Sequence, residues 1–216
     1  MRLIATSCGT YYHIETLEGD RAPRVWDAIV PPEDLATTLE PGDTLFVPCR
    51  SPAQRLIAQA ETIRAHLDQG GTVVAMGESR SDLWLPAIAF TPRPTNWWWW
   101  REDGADLGVE VTVPHHPLMA GLDRGAVTWH LHGHFDPPEG ATVLIRDADG
   151  LALAYVDACT TAGRMVVTSL DPCYHHGSHF MPATTRFLAG FLPALRAIAK
   201  GEQGWTRAPL ARSATD

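Results

Sequence analysis

The sequence predicts a three-layer α/β sandwich with a largely parallel sheet. Strand-like and helical segments alternate over the first eighty residues, which is typical of parallel strands joined by right-handed crossovers. The clearest strand lies within 72–81, where an apolar β-branched run follows two glycines and breaks into a tight turn at Gly77. Ligands of open parallel sheets bind outside the carboxyl ends of the strands. We therefore expect the functional site near Glu78 and Ser79, at the tip of this turn.

Composition and charge restrict the class of protein. The chain has 216 residues, of which 45% are hydrophobic, so it is long enough to bury its own core. Its net charge of −8 argues against nucleic-acid or anionic-membrane partners. The four cysteines lack CxxC spacing, and the apolar N-terminal segment is too short for a signal core or a membrane span. These features favour a reduced, cytoplasmic protein.

We predict one domain over 1–200, with an irregular tryptophan-rich insertion at about 81–108 and a C-terminal tail at 201–216. Strands are predicted at 3–7, 25–30 and 44–47, with a short helix at 33–39. A second helix begins after Ser51, which is the predicted cap, with Pro52 at its first position and Gln54 completing a capping box. Apolar residues at helical spacing then continue to two glycines at 70–71.

The second half predicts strands at 109–113, 127–134, 142–145, 151–156 and 164–170, of which the last three form an antiparallel or mixed group. Residues 147–150 have the sequence of a hairpin turn, and 182–200 form the final helix. The alternation in 127–134 predicts that His130, His132 and His134 lie on one face of a strand.

Three segments carry a resemblance to a known family. They are the strand-turn at 75–81, the His-Pro-Leu-Met-Ala-Gly-Leu segment at 116–122, and the late strand at 163–171. In order and spacing, they resemble the class I glutamine amidotransferase-like superfamily, especially ThuA-like proteins and the trimerisation domains of some β-galactosidases. The resemblance implies a flavodoxin-like, mostly parallel sheet.

The chain differs from that family in the two motifs that carry the family's catalytic residues. The Gly-x-Cys-x-Gly elbow of amidotransferases is Gly-Glu-Ser-Arg-Ser at 77–81, so Ser79 replaces the cysteine. The family's His-x-Glu is also replaced, by Asp-Pro-Cys-Tyr-His-His-Gly at 171–177. The comparison implies a protein without glutaminase activity.

A serine nucleophile is the first catalytic hypothesis. Ser79 lies on a tight turn near backbone N–H groups, and His175 or His176 is a candidate base. Glu78 or Asp171 is a candidate orienting acid, and the peptidase E-like branch of the resembled superfamily implies such a use of serine. The alternative is that Ser79 only bonds a nearby backbone group. Glu78 is a second catalytic candidate, as a general base. The alternative is that it is an acid at a helix N-terminus, where the helix dipole stabilises it.

The ten histidines include three clusters, at 115–116, 130–134 and 175–179. A His-x-His-x-His face with a further histidine or Asp171 would suit Zn²⁺ or Fe²⁺. Their spacing matches no recognised metallohydrolase motif, so we expect no cofactor, with Zn²⁺ or Fe²⁺ as the alternative.

Other residues are candidates for substrate binding. Arg50 follows the third strand, where it would bind a carboxylate or phosphate, and exposed tryptophans serve as stacking platforms or interface anchors. Cys8, Cys49 and Cys173 each follow a predicted strand. They are candidate thiol nucleophiles or metal ligands, and the alternative is that they are small buried hydrophobic residues. The predicted substrate-binding set is Cys49, Arg50, Trp98, Trp99, His132, His134 and His176.

The leading functional hypothesis is a hydrolase, or a protein that binds a small polar or carbohydrate ligand, at the carboxyl edge of the sheet. The alternative is a non-catalytic assembly domain that uses the tryptophan-rich segment. A small-molecule substrate and a homo-oligomer are the expected partners.

Overall fold

A ten-stranded mixed sheet organises the fold. The computed structural model describes residues 1–95 and 97–205, so residues 206–216 of the predicted tail lie outside the described residues. The strands are β1 (Leu3–Thr6), β2 (Ala28–Val30), β3 (Thr44–Val47), β4 (Thr72–Ala75), β5 (Phe90–Pro92), β6 (Glu110–Val111), β7 (Gly133–Phe135), β8 (Thr142–Arg146), β9 (Ala152–Asp157) and β10 (Arg164–Thr168).

In the described residues, seven α-helices accompany the sheet. They are α1 (Tyr11–Leu17), α2 (Leu35–Thr38), α3 (Ala53–Ile57), α4 (Ala60–Asp68), α5 (Arg124–Val127), α6 (Pro172–Gly177) and α7 (Pro182–Ala199). Short 3₁₀ turns occur at Pro32–Asp34, Ser81–Leu83, Trp99–Arg101 and Pro117–Met119. No helix in the described ranges is both long and apolar enough to cross a membrane.

The sheet is parallel in one half and antiparallel in the other. The order β2-β1-β3-β4-β10 is parallel throughout, and β9, β7 and β5 continue the sheet with antiparallel pairs. β8 pairs with both β9 and β6. The predicted hairpin turn is confirmed, because Gly150 N–H donates to Asp147 O at 3.1 Å between β8 and β9. The connection from β9 to β10, residues 158–163, is also short, and short connections join antiparallel neighbours. The parallel part therefore ends at β10.

Helices cover both faces of the sheet. In β4, Val73 and Ala75 pack in the cluster that contains Ile63 of α4, whereas Val74 packs in the cluster that contains Phe187 of α7. Successive side chains of a strand point to opposite faces, so a strand that is apolar throughout buries both. The three-layer arrangement follows from this pattern.

Several local predictions were wrong. The predicted helix after Ser51 is two helices, α3 and α4, and the Ser51 hydroxyl donates to Pro48 O at 2.8 Å instead of capping α3. The predicted strand 127–134 is also wrong. Asp123 accepts a hydrogen bond from Ala126 N–H at 2.8 Å and so starts α5 there, and β7 begins only at Gly133. Helix α1 was not predicted.

The tryptophan-rich segment contains regular structure. β5 lies within the predicted insertion and extends the sheet by pairing with β7. The tryptophan run enters a 3₁₀ turn at Trp99–Arg101, so the side chains do not alternate as they would on a strand. Trp98 and Trp100 are exposed.

Candidate functional site

Backbone hydrogen bonds tie together the turns that follow β3, β4 and β10. Arg50 N–H donates to Gly77 O at 3.1 Å, and Gly77 N–H donates to Leu170 O at 2.9 Å. A Cβ atom at Gly77 would lie 2.4 Å from Ser169 O, so only glycine allows this close approach. The predicted gathering of strand ends at one edge is confirmed for these three strands.

The backbone at this edge is strained. Arg50, Glu78 and Arg80 have φ values of 57°, 56° and 52°, in the left-handed region that non-glycine residues rarely adopt. Such residues concentrate at functional sites, where the surrounding structure holds them in place. At the tip of the turn, Glu78 is exposed whereas Ser79 is buried.

Four buried side chains converge beside this turn: His130, His132, Asp171 and His175. The two upstream histidines lie in the irregular segment between α5 and β7. Asp171 precedes α6 and His175 lies four residues later, so one helical turn places both side chains on the same side. Their candidate ligand atoms all lie within 4.8 Å of one another.

The separations of the donor atoms are short and similar. His130 Nε2 lies 2.9 Å from His175 Nε2, and His175 Nε2 lies 3.2 Å from Asp171 Oδ2. His132 Nε2 lies 3.3 Å from Asp171 Oδ2, and His130 Nε2 lies 3.8 Å from Asp171 Oδ1. Three imidazole nitrogens therefore surround one carboxylate.

Asp171 is held as a carboxylate at the centre of the cluster, with no exposed surface. The Trp129 indole N–H donates to Oδ1 at 3.2 Å, and an Arg50 guanidinium nitrogen lies 3.3 Å from Oδ2. Burial raises the pKa of Asp171, but its close contacts with the His132 and His175 imidazoles outweigh burial and hold the pKa well below its usual range.

Burial keeps His130 neutral, and partners on Nδ1 orient His132. Burial lowers the pKa of His130 to about 3, although the Asp171 carboxylate opposes that shift, so its imidazole is neutral at neutral pH. His132 Nδ1 lies 3.1 Å from the Thr95 hydroxyl and 3.3 Å from Glu78 Oε1. A carboxylate or hydroxyl partner on Nδ1 orients a histidine so that Nε2 is available to a metal ion.

Two cavities meet at Glu78. An open cleft of about 810 Å³ is lined by Arg50, Glu78, Trp97, Tyr174, His175 and Phe180. A more enclosed cavity of about 420 Å³ lies on the other side and is lined by His132, Glu78 and Ser79 among others. The Arg50 guanidinium lies 3.4 Å from the centre of the Tyr174 ring and 2.7 Å from Glu78 Oε2. Arg50 and Glu78 therefore lie at the proposed edge of the sheet, as the sequence predicts.

Ser79 lines the same cavity as His132, but its hydroxyl is engaged locally. It is 2% exposed and donates to Met76 O at 2.8 Å. In residues 1–95 and 97–205, no hydrogen bond joins it to an imidazole. A backbone bond of this kind is the structural alternative to a nucleophile. The role of Ser79 as a nucleophile stays a prediction.

Two of the predicted substrate-binding residues, Cys49 and His176, are also bonded within the protein. Cys49 is fully buried, its Sγ accepts a hydrogen bond from Tyr174 N–H at 3.1 Å, and burial raises the pKa of its thiol well above the usual value. His176 is buried against α7, with Nδ1 2.9 Å from the Thr185 hydroxyl, and burial lowers its pKa to about 4. The side chains of Cys49 and His176 thus face the protein interior.

His134 is on β7, opposite Thr91 of β5, and is not a member of the histidine cluster. The prediction that it shares a face with His130 and His132 is wrong, because those two residues precede the strand. Trp98 and Trp99 do not line the cleft, whereas Trp97 does.

The predicted catalytic and substrate-binding residues omit His130 and Asp171. The sequence offered both as candidate metal ligands, and Asp171 also as an orienting acid. Two short spacings pointed to them: the alternation of His130 with His132, and the four-residue separation of Asp171 from His175. A donor set of three imidazoles and one carboxylate is suited to Zn²⁺, Fe²⁺ or a similar ion.

No protein-family profile and no curated protein matches the chain. Among solved structures, it is similar to Gan42B, a GH42 β-galactosidase, at 12% identity and a TM-score of 0.42, over 77% of this chain and 27% of that one. It is also similar to the exo-β-1,4-mannosidase Op5Man5 from Opitutaceae bacterium strain TAV5, at 13% identity and a TM-score of 0.40, over 94% of this chain and 34% of that one. The chain therefore spans about a third or less of each of these enzymes.

Proposed function

We propose that this protein is a metal-dependent hydrolase, which binds one divalent transition-metal ion through His130, His132, Asp171 and His175. The observation that carries the proposal is the convergence of four buried donor groups within 4.8 Å. The sequence analysis expects no cofactor and keeps Zn²⁺ or Fe²⁺ as the alternative. The proposed function adopts that alternative. Small polar molecules are the proposed substrates.

The separations of the donor atoms support a single ion at their centre. Zn²⁺ binds nitrogen and oxygen at about 2.0–2.2 Å, so two ligand atoms of a tetrahedral site are about 3.3–3.6 Å apart. The separations between Asp171 and the imidazole nitrogens range from 3.2 to 3.8 Å, whereas His130 Nε2 and His175 Nε2 are closer, at 2.9 Å. Small rotations of the side chains would therefore complete the coordination.

The alternative is a hydrogen-bonded network that only holds the fold together. Such a network leaves His132 Nε2 without a well-aligned hydrogen bond to any described residue, although its donor–acceptor distance to Asp171 is 3.3 Å. A buried, unpaired imidazole nitrogen costs about 1–3 kcal/mol. Bonding to a metal ion would satisfy this nitrogen, which favours the metal site.

A bound ion of this kind makes hydrolysis accessible at neutral pH. Beside the four protein ligands, the ion would take a water as a fifth ligand, and Zn²⁺ lowers the pKa of a coordinated water to about 7. In the protein, Glu78 would orient His132 through Nδ1, and His175 would serve as a ligand instead of a general base. Arg50 would hold Asp171 in place from the side of the cleft.

The finer family assignment remains a proposal. We infer membership of the class I glutamine amidotransferase-like superfamily, with a flavodoxin-like parallel half, from the three motifs and the five parallel strands. The resembled branches include carbohydrate-linked proteins, so a carbohydrate is one proposed substrate. A homo-oligomer is the proposed assembly. These proposals are independent of the metal site.

Metal content tests the proposed function directly. Protein dialysed against a slight excess of Zn²⁺ and then against buffer should retain about one ion per chain by elemental analysis. It should also hydrolyse small activated esters such as p-nitrophenyl acetate, and lose this activity with a chelator and regain it with Zn²⁺. His175→Ala should lose both properties, whereas the matched variant His134→Ala should keep them, because His134 lies outside the cluster.

Retention of no ion by the native protein would contradict the proposal, and so would equal retention by His175→Ala. The serine hypothesis has its own test. If Ser79 is the nucleophile, a fluorophosphonate probe should label the protein and Ser79→Ala should abolish the labelling, whether or not metal is present.

A second candidate function is assembly through the tryptophan-rich segment. The observation that favours it is the exposure of Trp98 and Trp100, at 63% and 61%. Large exposed aromatic side chains are common anchors of protein interfaces. If they mediate assembly, Trp98→Ala should elute later than the native protein in gel filtration. An unchanged elution volume would remove this candidate.

A further inference from the structure

Two exposed aromatic rings stand at the open cleft. Trp97 is 47% exposed and Phe180 is 57% exposed, and both line the cleft that contains His175. Exposing large apolar rings to water is unfavourable, and here the rings border a concave site instead of a flat surface. Their exposure is therefore consistent with a ligand that covers them.

Both rings also touch the proposed metal ligands. The Trp97 ring centre lies 4.3 Å from that of His130, and the Phe180 ring centre lies 4.9 Å from that of His175. The two contacts involve imidazoles that themselves meet at 2.9 Å between their Nε2 atoms. A molecule that reached the donor atoms from the cleft would pass between, or lie against, Trp97 and Phe180.

The charges around the cleft are already paired. Arg50 is 2.7 Å from Glu78 and 3.3 Å from Asp171, and Arg80 is 2.8 Å from Asp82. Paired guanidinium and carboxylate groups present hydrogen-bond donors and acceptors side by side without a large net charge. This environment fits a neutral group with hydroxyl or amide substituents better than it fits a phosphate.

We propose that the cleft binds a neutral, ring-shaped small molecule, which stacks on Trp97 and Phe180 and directs its polar edge toward Arg50 and Glu78. This inference rests on the proposed function, because it places the reacting group of the substrate at the metal ion. Stacking requires a ring with an apolar face, which both flat aromatic rings and chair-shaped saturated rings possess.

Three hydroxamic acids that share one metal-binding head test the proposal. Acetohydroxamic acid has no ring, benzohydroxamic acid has a flat ring, and cyclohexanecarbohydroxamic acid has a chair-shaped ring. Binding is followed by the visible spectrum of the Co²⁺-loaded protein, which changes when a hydroxamate coordinates the ion. At least one of the ring-bearing acids should bind about tenfold more tightly than acetohydroxamic acid.

Variants assign that preference to the two rings. Trp97→Ala and Phe180→Ala should each lose most of the ring preference, measured within each Co²⁺-loaded variant as the affinity for a ring-bearing acid divided by that for acetohydroxamic acid. Trp100→Ala is the matched control, because Trp100 is 61% exposed but does not line the cleft, and it should retain the preference. The stronger ring-bearing acid then identifies the class, either flat or chair-shaped.

The outcomes separate the two proposals. Failure of Co²⁺ to bind would overturn the metal-dependent function itself. Binding of Co²⁺ and of all three acids with equal affinity would overturn only the ring-binding cleft, and so would a ring preference that persists in both Trp97→Ala and Phe180→Ala.

Discussion

His130 Nε2 and His175 Nε2 lie 2.9 Å apart although 45 positions separate the two residues in the sequence. One comes from the irregular segment before β7 and the other from α6, so the pair exists only in the folded chain. Two imidazole nitrogens at 2.9 Å share a proton as they stand, or ligate one metal ion after a small rotation that opens their separation to about 3.3–3.6 Å. The proposed function follows from the second choice, because Asp171 and His132 complete the same donor set.

The hydrogen bond from Trp129 to Asp171 should control metal affinity. Trp129→Phe removes the indole N–H that lies 3.2 Å from Asp171 Oδ1 and leaves a smaller ring in the core. Loss of such a supporting hydrogen bond typically weakens metal binding by about 10–100-fold. A competition titration of Zn²⁺ with a chromogenic chelator measures the change.

Trp84→Phe is the control for this substitution. Trp84 is also buried, and its indole N–H donates to Ser79 O at 2.9 Å, so the same chemical change occurs away from Asp171. Its Zn²⁺ affinity should remain within about threefold of that of the native protein. Equal losses in both variants would mean that core packing, and not the bond to Asp171, sets the affinity.

The close approach at Gly77 should be essential to the site. Gly77→Ala would place a Cβ atom 2.4 Å from the backbone oxygen of Ser169, which cannot move without disturbing β10. We expect the free energy of unfolding to fall by about 1–3 kcal/mol, measured by urea denaturation. Gly125→Ala in α5 meets nothing closer than 3.4 Å and should be neutral or stabilising by at most about 1 kcal/mol. A neutral Gly77→Ala would contradict the tight contact between the two turns.

Buried His66 should make stability depend on pH. Burial lowers the pKa of His66, despite its hydrogen bond with Asp43 O at 3.0 Å. In the unfolded chain this histidine has a pKa of about 6.5, so below that pH the unfolded chain binds a proton more readily than the folded protein does. The free energy of unfolding therefore falls as the pH drops through about 6.5. The slope from this one group is at most about 1.4 kcal/mol per pH unit.

Urea denaturation at several pH values between 7.5 and 5 tests this dependence. His66→Gln should reduce the slope, because glutamine can keep a donor near Asp43 O without binding a proton. A slope should remain, since burial also lowers the pKa of His130 and His176. His115→Gln is the exposed counterpart and should leave the slope unchanged. Equal slopes in the native protein and in His66→Gln would contradict the assignment.

The parallel half of the fold could be predicted from local sequence. β3 and β4 are continuous apolar runs bounded by turn residues, and such runs are typical of strands buried on both faces. The segment between α5 and β7 could not be predicted in this way. The alternation of His130 and His132 matches a strand, whereas the chain there is irregular. Periodicity describes a local preference, which tertiary contacts override.

The sequence places some residues of the candidate site at the sheet edge but does not assemble the histidine cluster. Arg50 and Glu78 were placed correctly at the carboxyl edge of the sheet, since parallel strands bring their ends together. The meeting of His130 with His175 depends on how α6 and the segment before β7 pack across the sheet edge. No spacing within either segment encodes that contact, although Asp171 and His175 are at helical spacing.

The central claim is that His130, His132, Asp171 and His175 bind one metal ion, and X-ray absorption spectroscopy of the Zn²⁺-loaded protein tests it most directly. The first shell should consist of nitrogen and oxygen at about 2.0–2.2 Å, with multiple scattering from about three imidazoles and no sulfur. A sulfur shell at about 2.3 Å would instead implicate the buried cysteines, such as Cys49 and Cys173. That shell, or a first shell with no more than one imidazole, would contradict the account.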